Sequence, residues 1–297
     1  MYNYDNNVLD KIDEVAESFL RDYEQKCSTM IFDGVKDEVK AKQLKSKIAH
    51  IRRTVALTDE ITNGNKLAIL AAKLHDIGRF PQYELLGGFK DGLILHHNLG
   101  EDIISRMLFS RVLEPSVELD IIRQSIMYHG RMQFIPFQKN PITREAMEIT
   151  EIVSEVDDLD NGCIGVLGYI EGEILNDSKD YKKNNPDLDM KSISPRVFEF
   201  FSKGQKFNKM TECHTYADYL LFAAVLAIQS LKGKHRELAA ELMKLPCFGY
   251  KNAMEGYREL FRKYLDPKLA LEAYDIFYGF YVEAKGYEPN TSKQHIW

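Results

Sequence analysis

The sequence places a histidine and an aspartate side by side, His75 and Asp76, at the end of an apolar run over residues 67–74. The run is apolar apart from Lys73, which predicts a helix buried in the middle of a bundle and ending near Gly78. A buried imidazole and a buried carboxylate each need a partner, because an unpaired charge in an apolar interior is costly. A divalent metal ion satisfies both groups, so we predict that they are metal ligands.

Further candidate ligands lie in other apolar-periodic segments of the chain. His50 precedes the pair and lies on a predicted helix, near its buried face. Downstream, the candidates are His96, His97, His129 and Asp157, each inside or at the end of an apolar stretch. A single histidine on an apolar face is more often a hydrogen-bonded core residue than a ligand. A series of them on successive helices favours a shared metal site.

The order of these residues resembles that of the HD superfamily of metal-dependent phosphohydrolases, over about residues 45–165. Locally the chain is most similar to the HD-GYP branch. His50 and Arg53 resemble its His-x-x-Arg-Val motif, residues 75–78 are His-Asp-Ile-Gly, and residues 96–100 are similar to its His-Pro-x-x-Gly motif. The resemblance implies an all-α HD-domain helical bundle, a divalent metal site and phosphohydrolase activity.

The chain also departs from the HD-GYP pattern. His97 stands where that branch usually has proline, Tyr128 replaces the first member of a His-His pair, and no Gly-Tyr-Pro motif follows. The resemblance therefore implies the metal site but not the cyclic-dinucleotide specificity that is linked to the Gly-Tyr-Pro motif.

The number of candidate ligands favours a pair of metal ions, because six ligands exceed what a protein normally gives to one ion. In the HD family an aspartate near the end of this segment completes the first metal, and Asp157 matches that position best. One ion is then bound by His50, His75, Asp76 and Asp157, and Asp76 bridges to a second ion bound by His96 and His129. The donors suit Mn, Fe, Mg, Ni or Zn, and a metal-bridged hydroxide would attack a phosphoryl group in line.

Cationic and polar side chains near the ligands are candidates for substrate binding. They are Arg53, Lys73, Arg79 and Gln82. The three cations would neutralise charge that develops on a phosphate. A structural alternative for Arg79 is that it caps the preceding helix, where a cation is favourable.

His97 is a candidate catalytic residue together with Asp76 and Arg79. It would protonate a leaving oxygen, or orient the neighbouring ligand His96. Because adjacent residues of a helix diverge by about 100°, we expect His97 to face away from the metals.

Two other functions use the same residue set. The HD-domain di-iron oxygenases, similar to myo-inositol oxygenase, also have the order His, His-Asp, His, His, Asp, and iron there activates dioxygen. A regulatory HD module would bind a nucleotide without turnover. Both stay open beside the hydrolase interpretation, which is favoured because Arg53 follows the hydrolytic pattern.

The composition is that of an ordinary globular protein, with 44% hydrophobic and 28% charged residues in 297. A net charge of −6 and a pI near 5.8 argue against long nucleic acid or a membrane as a partner and leave a small phosphorylated substrate possible. The four scattered cysteines include no CxxC motif, and no signal peptide or membrane-spanning run is found. These features predict a soluble, cytoplasmic protein and leave its oligomeric state open.

The remaining patterns predict helices joined by loops. Helices are expected over residues 8–23, 33–61, 99–113, 117–128 and 141–162, and surface loops over residues 81–90 and 131–141. The polar segment 177–195 predicts a division into an HD-type core with its N-terminal helix, residues 1–175, and a C-terminal helical extension, residues 176–297, packed on the core. We expect His214, His235 and His295 to be structural.

Overall fold

The computed structural model of the chain describes residues 4–89, 94–129, 141–169, 183, 187 and 189–286. Its contacts divide the chain into two compact units, residues 1–157 and 158–297, and the division falls near the end of a helix that carries Asp157. The predicted boundary after residue 175 stays a prediction. Among the described residues, no helix is both long and apolar enough to span a bilayer.

The first unit is almost entirely helical, which confirms the predicted all-α class. Its helices are α1 (Asn6–Thr29), α2 (Glu38–Thr62), α3 (Lys66–Leu74), α4 (Arg79–Leu86), α5 (His96–Phe109), α6 (Val117–Tyr128) and α7 (Pro141–Asp160). A short antiparallel hairpin, β1 (Ile31–Phe32) with β2 (Val35–Lys36), precedes α2. The prediction that α2 begins at residue 33 is therefore wrong: Asp33 and Gly34 both have positive φ, as the tight turn of a hairpin requires.

Side chains that accept backbone N–H groups define several helix starts. Asn65 caps α3 by accepting the backbone N–H groups of Leu67 and Ala68 at 3.1 and 3.2 Å. Asp37 caps α2 and Ser116 caps α6 in the same way. These groups would otherwise lack a partner, because the first turn of a helix leaves its N–H donors unpaired.

Helix α3 lies at the centre of the first unit, in contact with α1, α2 and α6. Every residue of the segment 67–74 is buried except Ile69, which is partly buried. A helix that is apolar on every side can be stable only when it is surrounded, so α3 carries its C-terminal residues into the interior of the bundle. This confirms the buried central helix that the apolar run predicts.

The chain after α3 differs from the sequence expectation. The helix ends at Leu74 instead of Gly78, and the segment expected as a surface loop after Gly78 is largely the short helix α4. Phe80, Gln82 and Tyr83 are buried on its inner face. The sequence pattern of α4 did not indicate a helix for two reasons. Pro81 lies in the first turn, where proline is tolerated, and one of the buried positions is the polar Gln82.

Gly78 is needed for a close approach. Its φ of −71° is ordinary for any residue. A Cβ at this position would overlap the carbonyl oxygen of His96 and would lie 2.5 Å from the backbone nitrogen of Gly100. A Cβ on Gly100 would in turn lie 2.8 Å from the side chain of Ile126. The backbone after α3 therefore touches the first turn of α5 directly, and α5 packs at Gly100 against the side chain of Ile126 on α6.

The second unit is a separate set of helices. After a π-helical turn at Asn161–Gly165, they are α8 (Val166–Tyr169), α9 (Pro195–Ser202), α10 (Lys209–Glu212), α11 (Tyr216–Lys232), α12 (Arg236–Leu242), α13 (Ala253–Tyr264) and α14 (Pro267–Ala284). Helix α11 is buried over most of its length and contacts α9, α12, α13 and α14, as its apolar sequence predicts. All four cysteines are buried, and none forms a disulfide, as expected.

Some predicted features lie outside the described residues. They are residues 131–140 of the predicted loop 131–141, most of residues 177–188 in the polar segment 177–195, residues 90–93, and His295. His214 and His235 are partly buried in the second unit, and their structural role stays a prediction.

Candidate metal centre

The predicted ligands come from helix ends and helix interiors that converge in the first unit. His50 lies in the middle of α2, and His75 and Asp76 follow the last residue of α3. His96 begins α5, His129 immediately follows α6, and Asp157 lies near the end of α7. The structure brings all six together, and each of them except the partly buried Asp157 is buried.

The first group consists of His50, His75, Asp76 and Asp157, whose nearest ligand atoms all lie within 4.8 Å of one another. The Nε2 atom of His50 is 3.0 Å from Oδ1 of Asp157 and 3.3 Å from Nε2 of His75. Two imidazoles and two carboxylates converge here, which is a donor set that suits a divalent cation.

The second group consists of His96, His97 and His129, and its ligand atoms also lie within 4.8 Å of one another. The Nε2 atoms of His96 and His129 are 3.3 Å apart. This group is made of imidazoles alone, and a carboxylate of the first group lies beside it.

Asp76 supplies that carboxylate, because its two oxygens face different groups. Oδ2 lies 3.6 Å from Nε2 of His50 and 3.5 Å from Nε2 of His75. Oδ1 lies 3.3 Å from Nε2 of His96 and 3.9 Å from Nε2 of His129. A carboxylate in this position can bind one ion through each oxygen, which is the geometry that a bridging ligand needs.

Backbone carbonyls orient two of the imidazoles. Nδ1 of His75 lies 2.7 Å from the carbonyl oxygen of Ala72, and Nδ1 of His129 lies 3.1 Å from that of Ile126. A proton on Nδ1 that is donated to a carbonyl leaves Nε2 as the unprotonated, metal-binding nitrogen. The turns that end α3 and α6 thus point both Nε2 atoms towards the cluster.

Burial and neighbouring charges shift the pKa values of Asp76 and His75 in the first group and of His129 in the second. Burial opposes charge on Asp76, but Lys47, His75 and Arg79 outweigh it and hold its pKa well below the usual range. Burial also opposes the charged form of His75, but Asp76 and Asp157 outweigh it and raise its pKa. Burial, with repulsion from His75, lowers the pKa of His129 to about 3. The first group thus favours charge, and His129 of the second group favours the neutral form.

The expectation that His97 faces away from the metal site is wrong. Its ring lies 3.6 Å from that of His96 and 4.8 Å from that of His129, measured between centroids. Side chains of an α-helix tilt towards its N-terminus, so two neighbouring residues in the first turn can both extend beyond the helix end. The site lies at that end of α5, and His97 joins the second group.

The predicted substrate-binding residues lie in different surroundings. Nε of Arg79 is 3.4 Å from Oδ1 of Asp76, so Arg79 reaches the cluster. Gln82 is fully buried, accepts a hydrogen bond from Arg79 and donates one to the carbonyl of Ile94. Its described contacts orient Arg79 and the chain that leads into α5. Arg53 is partly buried on α2, and its substrate role stays a prediction.

The structure does not direct Lys73 towards the cluster. Its ammonium pairs with Asp13 and lies 3.3 Å from a carboxylate oxygen of Glu17, both on α1. A lysine that interrupts an apolar helix must bring its charge to a counter-ion, and α1 supplies two. This geometry corrects the prediction that Lys73 binds substrate: the described contacts of its ammonium hold α3 against α1.

Sequence reasoning missed Lys47. Its Nζ donates a hydrogen bond to Oδ2 of Asp76 at 2.7 Å. Lys47 precedes His50 by three residues on α2, so the two side chains share a face of the helix. The spacing from His50 was a signal for Lys47. It was weak, because lysines are frequent in the first half of α2 and the sequence does not show which of them faces the site.

Residues 48–162 match the family model described as the HD domain. The chain therefore contains an HD domain, as the order of its candidate ligands predicts. The matched range covers all the residues of both groups. HD domains bind divalent metal ions and are typical of metal-dependent hydrolases, and the imidazoles and carboxylates described above fit such ions. No curated protein and no solved structure matches the chain.

Proposed function

We propose that the protein is a metal-dependent phosphohydrolase that acts on a small phosphate ester or nucleotide. The observation that carries this proposal is the position of Asp76, with one carboxylate oxygen facing each group of imidazoles. When bound, a pair of divalent ions would supply Lewis-acid polarisation of the phosphoryl group and a hydroxide for in-line attack.

In this proposal the chain divides the remaining tasks among its own side chains. His50, His75 and Asp157 would hold one ion, His96 and His129 would hold the second, and Asp76 would contribute to both. Arg79 lies beside Oδ1 of Asp76, where its guanidinium can stabilise the negative charge of a phosphoryl group. His97 lies beside the second group, within reach of a leaving oxygen that it can protonate.

The acidic chain supports a small substrate over a polymer. A net charge of −6 offers long nucleic acid little attraction outside the pocket, because polymer binding depends on several phosphate contacts. A phosphomonoester or phosphodiester of a small nucleotide needs only the contacts that the cluster and its neighbours provide.

The test is hydrolysis by protein that has been stripped with a chelator and reloaded with manganese. A panel of mononucleotides, dinucleotides and cyclic dinucleotides is assayed with and without chelator, beside a long single-stranded oligonucleotide. We expect release of phosphate or a cleaved nucleotide from a small member of the panel, and no turnover of the oligonucleotide.

The variant Asp157→Asn tests whether such turnover belongs to this cluster. Its matched control is Asp158→Asn, because Asp158 is the next residue of α7 and is exposed. We expect the first variant to lose turnover and the second to retain it. If the whole panel is untouched while iron-loaded protein consumes oxygen with an inositol-like or phosphonate-like compound, the oxygenase alternative replaces the hydrolase.

A further inference from the structure

Among the described contacts, Lys47 is the cation closest to Asp76. The substrate-binding residues predicted from the sequence do not include it. Its Nζ lies 2.7 Å from Oδ2 of Asp76, on the side of the first group, while Arg79 lies 3.4 Å from Oδ1, on the side of the second. The lysine side chain is only 14% exposed. A mostly buried ammonium is costly unless it is paired, so its presence beside the site calls for a function.

The contact with Asp76 leaves Lys47 able to act on a second group. A carboxylate oxygen has two lone pairs, so Oδ2 can accept the N–H of Lys47 with one and face a metal ion with the other. An ammonium has three N–H donors, and the contact with Asp76 uses one of them. Lys47 can therefore keep its partner while it donates to an oxygen of a substrate held at the same site.

The aromatic ring of Phe89 helps to hold Lys47 in place. The Nζ atom lies 5.7 Å from the centroid of this ring, within the range of a cation–π contact. The Phe89 ring packs on Tyr83 at 4.9 Å, and the Phe89 carbonyl accepts a hydrogen bond from Arg79 at 2.9 Å. The two cations that reach Asp76 are thus linked through one residue, and both are positioned by contacts outside the ligand set.

We propose that Lys47 binds a non-bridging oxygen of the substrate phosphate and favours a terminal phosphomonoester over a phosphodiester. This inference rests on the proposed function. A terminal phosphate carries nearly two negative charges near neutral pH, whereas a diester carries one. Cations on both sides of Asp76 therefore stabilise the monoester more, because charge-assisted hydrogen bonds strengthen with the charge of the acceptor.

The test measures oxyanion binding by manganese-loaded protein, so that it does not depend on turnover. Inorganic phosphate and dimethyl phosphate are each titrated calorimetrically into wild type, Lys47→Met and Lys47→Arg. Methionine keeps much of the length of the side chain without its charge, and arginine keeps the charge. The matched control is Lys45→Met, because Lys45 is an exposed lysine on the same helix.

We expect Lys47→Met to retain its manganese and to bind inorganic phosphate at least tenfold more weakly, a loss of about 1.4 kcal/mol. Dimethyl phosphate should lose less affinity, so the ratio between the two ligands falls. Lys47→Arg should recover most of the difference, and Lys45→Met should match wild type. For any phosphomonoester that is turned over, the Lys47→Met change should raise KM more than it lowers kcat.

Three results would overturn the assignment: unchanged phosphate binding by Lys47→Met, an equal loss in Lys45→Met, or a wild type that binds no phosphate when loaded. A fourth result, loss of manganese from a folded Lys47→Met variant, would also overturn the assignment, because Lys47 would then only support Asp76. Far-UV circular dichroism establishes folding, and Lys47→Arg gives a second reading if the methionine variant does not fold. A loaded wild type that binds phosphate but hydrolyses nothing refutes the proposed function while these binding results still decide the role of Lys47.

Discussion

The two ligand groups of the HD domain differ in chemistry although one carboxylate links them. The first combines two imidazoles with Asp76 and Asp157, whereas the second consists of imidazoles apart from its access to Asp76. A carboxylate-rich site attracts hard divalent cations more strongly than imidazoles alone. We therefore expect the two positions of the proposed site to differ in metal affinity, and the second to depend on Asp76 for negative charge.

Removal of Asp76 should have the largest effect, because its two carboxylate oxygens face different groups. We expect Asp76→Ala to lose both metal ions and to lower kcat/KM by more than about 100-fold, since even residues that only orient ligands cost about 10–100-fold. Elemental analysis and nucleotide turnover measure the two effects. Asp102→Ala, an aspartate on α5 whose side chain is 48% exposed, is the control. Retention of both ions by a folded Asp76→Ala protein would refute the bridging role.

Changes within one group should separate the two positions. Asp157→Asn removes a charge from the first group alone, so we expect it to lose the ion held by His50 and His75 and to keep weakened binding at the other position. His129→Ala should do the reverse and keep the carboxylate-rich position. Manganese titrations monitored by calorimetry give the number and affinity of the remaining ions. Equal losses in both variants would show that the groups bind their ions only as a unit.

His97→Ala should have a smaller effect on metal. The imidazole lies with the second group, but His96 and His129 already face Asp76 there. We expect this variant to keep its metal content and to lose about tenfold in metal affinity, at the lower end of the range for residues that support a ligand. A larger fall in kcat at low pH, where an imidazole carries the proton that it donates, than at high pH would identify the loss of a proton donor. Loss of one ion would make His97 a full ligand.

We expect the smallest effect from a substitution of Glu17, whose carboxylate lies outside both groups. Glu17 pairs with Arg52 and Lys73, and the hydrogen bond from Arg52 lowers its pKa to about 2, against an ordinary value of 4.5. A lowered pKa means that the folded state binds fewer protons. The stabilisation is therefore fully present above about pH 4.5 and is lost as pH falls towards 2.

Glu17→Gln should consequently lower the free energy of unfolding by about 1 kcal/mol at pH 7, a value typical of partly exposed ion pairs. The difference from wild type should disappear in acid. Urea titrations between pH 2 and 7 measure it. Unchanged manganese content is the internal control, and a changed content would mean that α1 contributes to the metal site.

The ligand set could be predicted because its chemistry is carried by residue types that are rare in apolar segments. His50, the His75-Asp76 pair and His129 each interrupt an apolar helix or follow its last residue, and their order along the chain is enough to group them. The division of these residues between two groups was also predicted. The direction of His97 was not, because it depends on which end of α5 the site occupies.

The contributions of Lys47 and α4 could not be predicted, for a different reason. A lysine is common on a helix surface, and whether it points inwards is fixed by the rotation of α2, which His50 alone does not determine. Helix α4 buries a glutamine between two aromatic residues, so its pattern lacks the apolar spacing that identifies a helix. In both cases the information lies in contacts between segments that are distant in the sequence.

The contact between Gly78 and the first turn of α5 has a consequence for how this site can change. Main-chain atoms meet there with no room for a methyl group, so the backbones that carry Asp76 and His96 are held together without any contribution from the ligands. Side chains around the cluster can then be exchanged while the frame that spaces them stays the same. We therefore expect substitutions of Lys47, Arg79 and His97 to change substrate preference without disturbing this frame, whereas substitutions of Gly78 and Gly100 should disturb it.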